Sequence, residues 1–156
     1  MGPSLADGEV HGDIHSAARS EMEAGMELLC TAVHQLEEAT SLWIARALAE
    51  GWRQRVLTHA QAEEEDLFPL VAARYPDHAA TLAALTRDHE LMRLLLEEAE
   101  RELDVQGKVT PGALDRFSAL LHLQRQHSSY EEQSLLEHIS AAALRAPHAP
   151  EEAGGR

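Results

Sequence analysis

Cysteine is almost absent from this chain. Cys30 stands alone among 156 residues, which excludes a disulfide framework and points to a reducing compartment. Aromatic residues are scarce as well, at 4%, and the Ala, Leu, Glu and Arg that fill the chain instead favour helix throughout. Basic residues are outnumbered: 13 Lys and Arg face 27 Asp and Glu, for a formal charge of −14. That balance argues against nucleic acid or an anionic membrane as a partner, and most of the acid is expected to be a solvated surface. No apolar run approaches the roughly 20 residues that span a bilayer. The first residues lack the basic start and apolar core of a signal peptide, so a soluble, cytoplasmic protein is expected. The length suits one domain with a core large enough to dispense with disulfides.

What the chain does have is helical periodicity. A first helix is expected from about Ile14 to Ala39 with Asp13 as N-cap, its stripe running Ala18, Met22, Met26, Leu29, Val33 and Leu36. Thr40-Ser41 is expected to stop it and cap the second helix, which carries Leu42, Leu48, Trp52, Val56 and Leu67 towards Tyr75, with Pro69 kinking or ending its last turns. Pro76-Asp77 turns the chain into a third helix along Leu82, Leu85, Met92, Leu96 and Leu103, and the loop Gln106–Gly112 leads to a fourth, from Ala113 to about Leu144. Residues 1–13 and 146–156 lack periodicity and are expected to be disordered, leaving residues 14–145 as the domain. Four amphipathic helices with short links imply an all-α, up-down-up-down four-helix bundle.

The chain also repeats itself at a distance. His59-Ala-Gln-Ala-Glu63-Glu64 and His127-Ser-Ser-Tyr-Glu131-Glu132 each place an imidazole and a carboxylate four residues apart, on one face of a helix. The phase of each helix turns these groups inward. Trp52, Val56, His59, Glu63, Leu67 and Leu70 share a face, as do Phe117, Leu120, Gln124, His127, Glu131 and Leu135. Leu82, Leu85, His89, Met92 and Leu96 do the same on the third helix, and His15 begins the first-helix stripe. Height agrees: at ~1.5 Å per residue, antiparallel neighbours meet at equal distances from their turn. Glu63 lies about 13 residues before Pro76 and His89 about 13 after it, while His15 and Glu63 lie roughly 25 and 23 residues from Thr40.

Four helices are thereby expected to deliver His15, His59, Glu63, His89, His127 and Glu131 to one level. An inward His alone is usually a hydrogen-bonded core residue, but two carboxylates in a Leu-rich core cost several kcal/mol each unless paired or bridged by cations. His34 and Glu38 repeat the spacing but fall beside the stripe and several turns away, which leaves His34 only a fallback for His15. His11, His34, His78, His122, His138 and His148 are read as surface or terminal. Glu64, Glu65, Asp66 and Glu132 are read as a solvated face, and Arg93 either as core edge or as a donor closing the site.

These residues resemble the hemerythrin-like family, the HHE cation-binding domain. The match rests on His15, on His59 to Glu64 followed by Leu67-Phe68-Pro69, on His89 within Asp88-His89-Glu90-Leu91, and on His127 to Glu132, covering about Ile14 to His138. The resemblance implies a four-helix bundle holding two non-haem iron ions, bridged by two carboxylates and capped by His, with dioxygen, peroxide or nitric oxide as the small ligand. Oxygen-carrying members place two His one turn apart on the third helix. Here Arg93 follows His89, so four His and two Glu are expected where five His and two carboxylates would be, and one iron is expected to be under-coordinated. An apolar shell including Met22, Leu85 and Met92 is expected around the open position. Iron suits six mixed nitrogen and oxygen ligands around bridging Glu better than zinc, which takes four. A peroxide-decomposing or ferroxidase-like enzyme, and a metal-free or zinc-bound interaction module, are the competing readings.

Overall fold

The structure, a computed structural model, describes residues 7–139. Four helical rods account for them. Helix α1 is Gly8–His34. Rod α2 joins three α-helical pieces, Glu38–Gly51, Thr58–Ala62 and Phe68–Arg74, through π-helical turns at Trp52–Leu57 and Glu63–Leu67. Helix α3 is Ala79–Gln106, reached through a 3₁₀ turn at Pro76–His78. Rod α4 is Pro111–Glu131 continued by a π turn at Glu132–Leu136. Packing runs around a ring: α1 lies along α2 and α4, and α3 along α4 and α2. The architecture is the expected all-α four-helix bundle.

Helix α1 begins six residues before Ile14. Asp7, not Asp13, is the N-cap, its carboxylate accepting from the backbone N–H groups of Glu9 and Val10 at 3.2 and 3.3 Å. Residues 8–13, expected to be disordered, are therefore an extra helical turn and a half; residues 1–6 and 140–156, including the expected 146–156 tail and the end of the fourth helix near Leu144, lie outside the described residues. Within them, the helical part of α4 ends at Leu136.

Leu36 does not join the core stripe that periodicity predicts for it. It sits in the left-handed region at φ 58°, 86% exposed, and turns the chain between α1 and α2. Thr40-Ser41 neither stops α1 nor caps α2, which starts at Glu38 without a side-chain cap. Gly107, at φ 64°, ends α3 and donates its N–H to Leu103, a conformation glycine adopts without steric cost.

The π turns reset the register of α2. Counting in α-helical steps from Glu63 and Leu67 puts Leu70 inside, but one extra residue in the turn rotates the next face, so Phe68 and Val71 are buried and Leu70 is exposed. The rod continues through Pro69 to Arg74. The wide turn already interrupts the hydrogen-bond ladder there, so the N–H that proline lacks falls where little is lost.

Two apolar clusters fill the bundle. The larger unites Met22, Leu29, Trp52, Leu96, Leu103 and Phe117; the smaller unites Leu67, Phe68, Val71, Leu82, Leu85 and Leu135. Between them lies a slab of buried polar side chains, His11, His15, Glu63, His89, His127 and Glu131, with His59 at its edge.

Candidate metal centre

Each rod brings its part of the slab by helical spacing. Helix α1 supplies His11 and His15, four residues apart; α2 supplies His59 and Glu63; α3 supplies His89; α4 supplies His127 and Glu131. All six residues expected from the sequence reach this level, five of them buried and His59 12% exposed at its side chain. His34 does not: it is exposed at the far end of α1.

His11 is the residue that sequence reasoning missed. Far from being terminal and wet, it is fully buried, with Nε2 2.7 Å from Glu63 Oε1 and 3.3 Å from Glu131 Oε2. Its signal was the same-face step back from His15, masked by Asp13 as a plausible cap and by Gly8 and Gly12, both poor helix formers. With His11 the imidazoles number five, so the expected shortfall of one histidine is overturned. The fifth comes from α1 rather than from α3, where Arg93 stands.

The imidazoles fall into two groups. His11, His15 and His59 gather with Glu63, and His89 and His127 gather with the same Glu63, the candidate ligand atoms of each group lying within 4.8 Å of one another. Glu63 presents Oε1 to His59 at 2.8 Å and Oε2 to His89 at 3.2 Å. Glu131 Oε2 spans the same divide, 3.5 Å from His15 and 3.8 Å from His127. Ring nitrogens face one another: His59 Nε2 is 3.0 Å from His15 Nε2, and His89 Nε2 is 3.1 Å from His127 Nε2.

At the two carboxylates proximity is not hydrogen bonding. Both oxygens of Glu63 and both of Glu131 are buried without a hydrogen bond, although imidazoles surround them. Nitrogen and oxygen lone pairs converge on shared points instead of aligning donor to acceptor, the arrangement a cation requires. The charges of the metal-free cluster show the same pressure. Burial would lower the His11 pKa, but the adjoining Glu131 and Glu63 outweigh it and raise it to about 10. Burial would raise Glu63, but its surrounding imidazoles hold it well below the usual carboxylate range. His127 is pulled down to about 4, first by burial and then by the charge of His89.

A second ring of carboxylates stands behind the imidazoles. Glu64, expected on a solvated face, is half-buried and accepts from His89 Nδ1 at 2.8 Å. Arg93 grips both Glu64 oxygens at 3.1 and 2.9 Å, so it acts on His89 through Glu64 and does not enter the slab. Glu132 lies 3.9 Å from His15 Nδ1, and Asp88 3.8 Å from His127 Nδ1. The second Glu of each repeated motif thus lies towards the outer nitrogen of a histidine on a neighbouring rod, and the Glu64 hydrogen bond orients the His89 ring so that Nε2 points inward. Phe68 stacks on the His89 ring, 5.8 Å between centroids and 6° from parallel. Of the expected apolar shell, Met92 borders the cluster, whereas Met22 and Leu85 belong to the clusters on either side.

The sequence profile of the hemerythrin HHE cation binding domain matches residues 14–139. This chain belongs to that family. The matched span contains six of the slab residues and begins three residues after His11, so the seventh belongs to a turn of α1 outside it. Comparison with curated proteins and with solved structures gave no match. Among the described residues of this HHE domain, no helix is long and apolar enough to cross a membrane.

Proposed function

We propose that this protein holds two iron ions between Glu63 and Glu131 and binds a small ligand, dioxygen, peroxide or nitric oxide, beside them. The observation that carries this reading is the set of four buried carboxylate oxygens without hydrogen bonds, enclosed by imidazole nitrogens. Two such carboxylates in a low-dielectric interior repel each other and are tolerable only when paired with imidazolium or bridged by cations.

The donor set favours an iron pair. Glu63 and Glu131 reach both groups of histidines; three histidines stand on one side and two on the other. With one oxygen of each carboxylate on either side, five donors would serve one ion and four plus an exogenous ligand the other, more than the four of zinc on each side and suited to higher-coordinate metals. The side with His89 and His127 has fewer protein donors, which leaves it the place for an exogenous ligand. Bound there, iron would supply reversible electron exchange with that ligand. The protein's own contribution is to fix the His89 ring through Glu64, to place the negative charge of Glu132 and Asp88 beside the His15 and His127 rings, to neutralise charge through Glu63 and Glu131, and to keep bulk water away.

Iron stoichiometry on protein purified without added metal tests this. Two irons per chain are expected, and Glu63→Ala should lose both, because Glu63 belongs to both groups. Protein that carries zinc alone, or a Glu63→Ala variant that keeps its full iron, would overturn the assignment.

A further inference from the structure

The inward-facing polar atoms of the slab are accounted for by one another and by the cations proposed above. Outside the slab, Trp52 Nε1 and one side-chain amide are buried without a hydrogen-bond partner, and of the two only the amide borders the cluster. Gln124 lies on the inward face of α4, one turn before His127, and is 3% exposed, yet its Oε1 has no hydrogen-bond partner. A buried carbonyl oxygen left unpaired is a standing cost.

Gln124 lines a cavity of about 20 Å³ that opens onto the cluster. Its lining joins Ala18, Val56, Ala60, Met92 and Ser128 to five residues of the cluster, His15, His59, Glu63, His89 and His127, and includes Arg55. Arg55 is exposed and paired with Glu21 at 3.2 Å. His11 and Glu131 do not border this space, so it approaches the cluster from the side of the larger apolar core. Its size admits about one water-sized group. An organic substrate does not fit, whereas a ligand of two or three non-hydrogen atoms whose inner atom is held among the cluster's donors would need room here for its outer atom alone.

We propose that Gln124 is a ligand-recognising residue: its side-chain amide hydrogen-bonds the outer atom of a small ligand held at the cluster. The pocket would therefore prefer ligands that can accept at their far end, such as azide or reduced dioxygen species, over equally small ones that cannot. Rotation about the last side-chain bond presents either the N–H₂ or the carbonyl to the cavity, and the N–H₂ is the end that serves an anionic acceptor. The inference rests on the two-iron reading but concerns a residue that touches no cation in it.

The test uses the iron-loaded oxidised protein, azide as probe and Gln124→Leu as variant. Iron content should be unchanged, azide affinity should fall about tenfold, the usual worth of one hydrogen bond to a charged acceptor, and melting of the azide-free protein should rise by about 2–4 °C because an unpaired buried amide has gone. In the wild type the azide stretching band should shift in protein prepared in heavy water, and that shift should vanish in the variant. A purely structural amide would instead lower the melting temperature on removal and leave the heavy-water shift untouched. Equal azide affinity in both proteins, or a wild-type band insensitive to heavy water, overturns the proposal. The second result needs no variant and so survives misfolding of Gln124→Leu. Wild-type protein without iron would sink the metal reading itself, an outcome distinct from iron-loaded protein that ignores residue 124.

Discussion

His11 and His34 are alike in chemistry, share one helix and differ in everything the bundle does to them. One is fully buried beside two carboxylates and the other is exposed near the α1–α2 turn. His11→Ala should therefore weaken iron retention by roughly 10–100-fold, the scale on which metal-site neighbours act, while His34→Ala should leave the metal content at the wild-type level. Competition against a calibrated chelator reads both; equal retention in the two variants would remove His11 from the site. The same residue predicts a proton count. In the metal-free protein its pKa is raised from 6.5 to about 10, so it is protonated at neutral pH, whereas ligation needs the neutral ring. Iron loading near neutral pH should expel that proton, and His11→Ala should release fewer protons per chain. Calorimetry in buffers of different ionisation enthalpy measures the difference, and no difference would mean that His11 does not titrate as the geometry requires.

At the scale of the element, caps and π turns decide where side chains point. Asp7 starts α1 early enough to bring His11 into the slab, and the cap is worth about 1 kcal/mol. Asp7→Ala should fray that first turn, giving faster hydrogen exchange at Val10 and His11 and weaker iron retention, with the rest of α1 unaffected. Unchanged exchange there would show that packing against α4, not the cap, holds the turn. The π turns act differently from a cap, by rotating the helix C-terminal to them. Of the three, one begins at Glu63 and one at Glu132, directly after Glu131, so both repeated motifs carry the same local device, and in α2 it buries Val71 in place of Leu70. Periodicity at 3.6 residues read the faces correctly as far as Leu67 in α2 and Leu135 in α4, and lost phase at Leu70, beyond the π turn that follows Glu63. Nothing in the local composition of Glu63–Leu67 announces the extra residue, because a π turn is stabilised by the surfaces against which the rotated side chains pack.

For the whole molecule, the slab is a polar plane held between two apolar clusters, and its charges link the fold to pH. In metal-free protein the raised His11 pKa contributes stability that is complete below pH 6.5 and lost as pH rises through about 10. His127, lowered from 6.5 to about 4 by burial and then by His89, works the other way: its contribution is complete above 6.5 and lost as pH falls towards 4. Thermal melts of chelator-treated protein should therefore peak near pH 6.5 and decline on both sides. A flat profile between about pH 4 and about pH 10 would contradict the buried charge pattern.

The sequence by itself determined the helical class, the four-rod count, and the six inward residues His15, His59, Glu63, His89, His127 and Glu131, because helical phase and distance from a turn are local quantities that residue spacing carries. Only the tertiary structure decided that a fifth imidazole comes from His11, that Arg93 reaches His89 through Glu64, and that Gln124 is left without a partner. Those outcomes depend on which side chains meet across neighbouring rods, and burial against a partner that lies a hundred residues away overrides the weak helix propensity of Gly8 and Gly12.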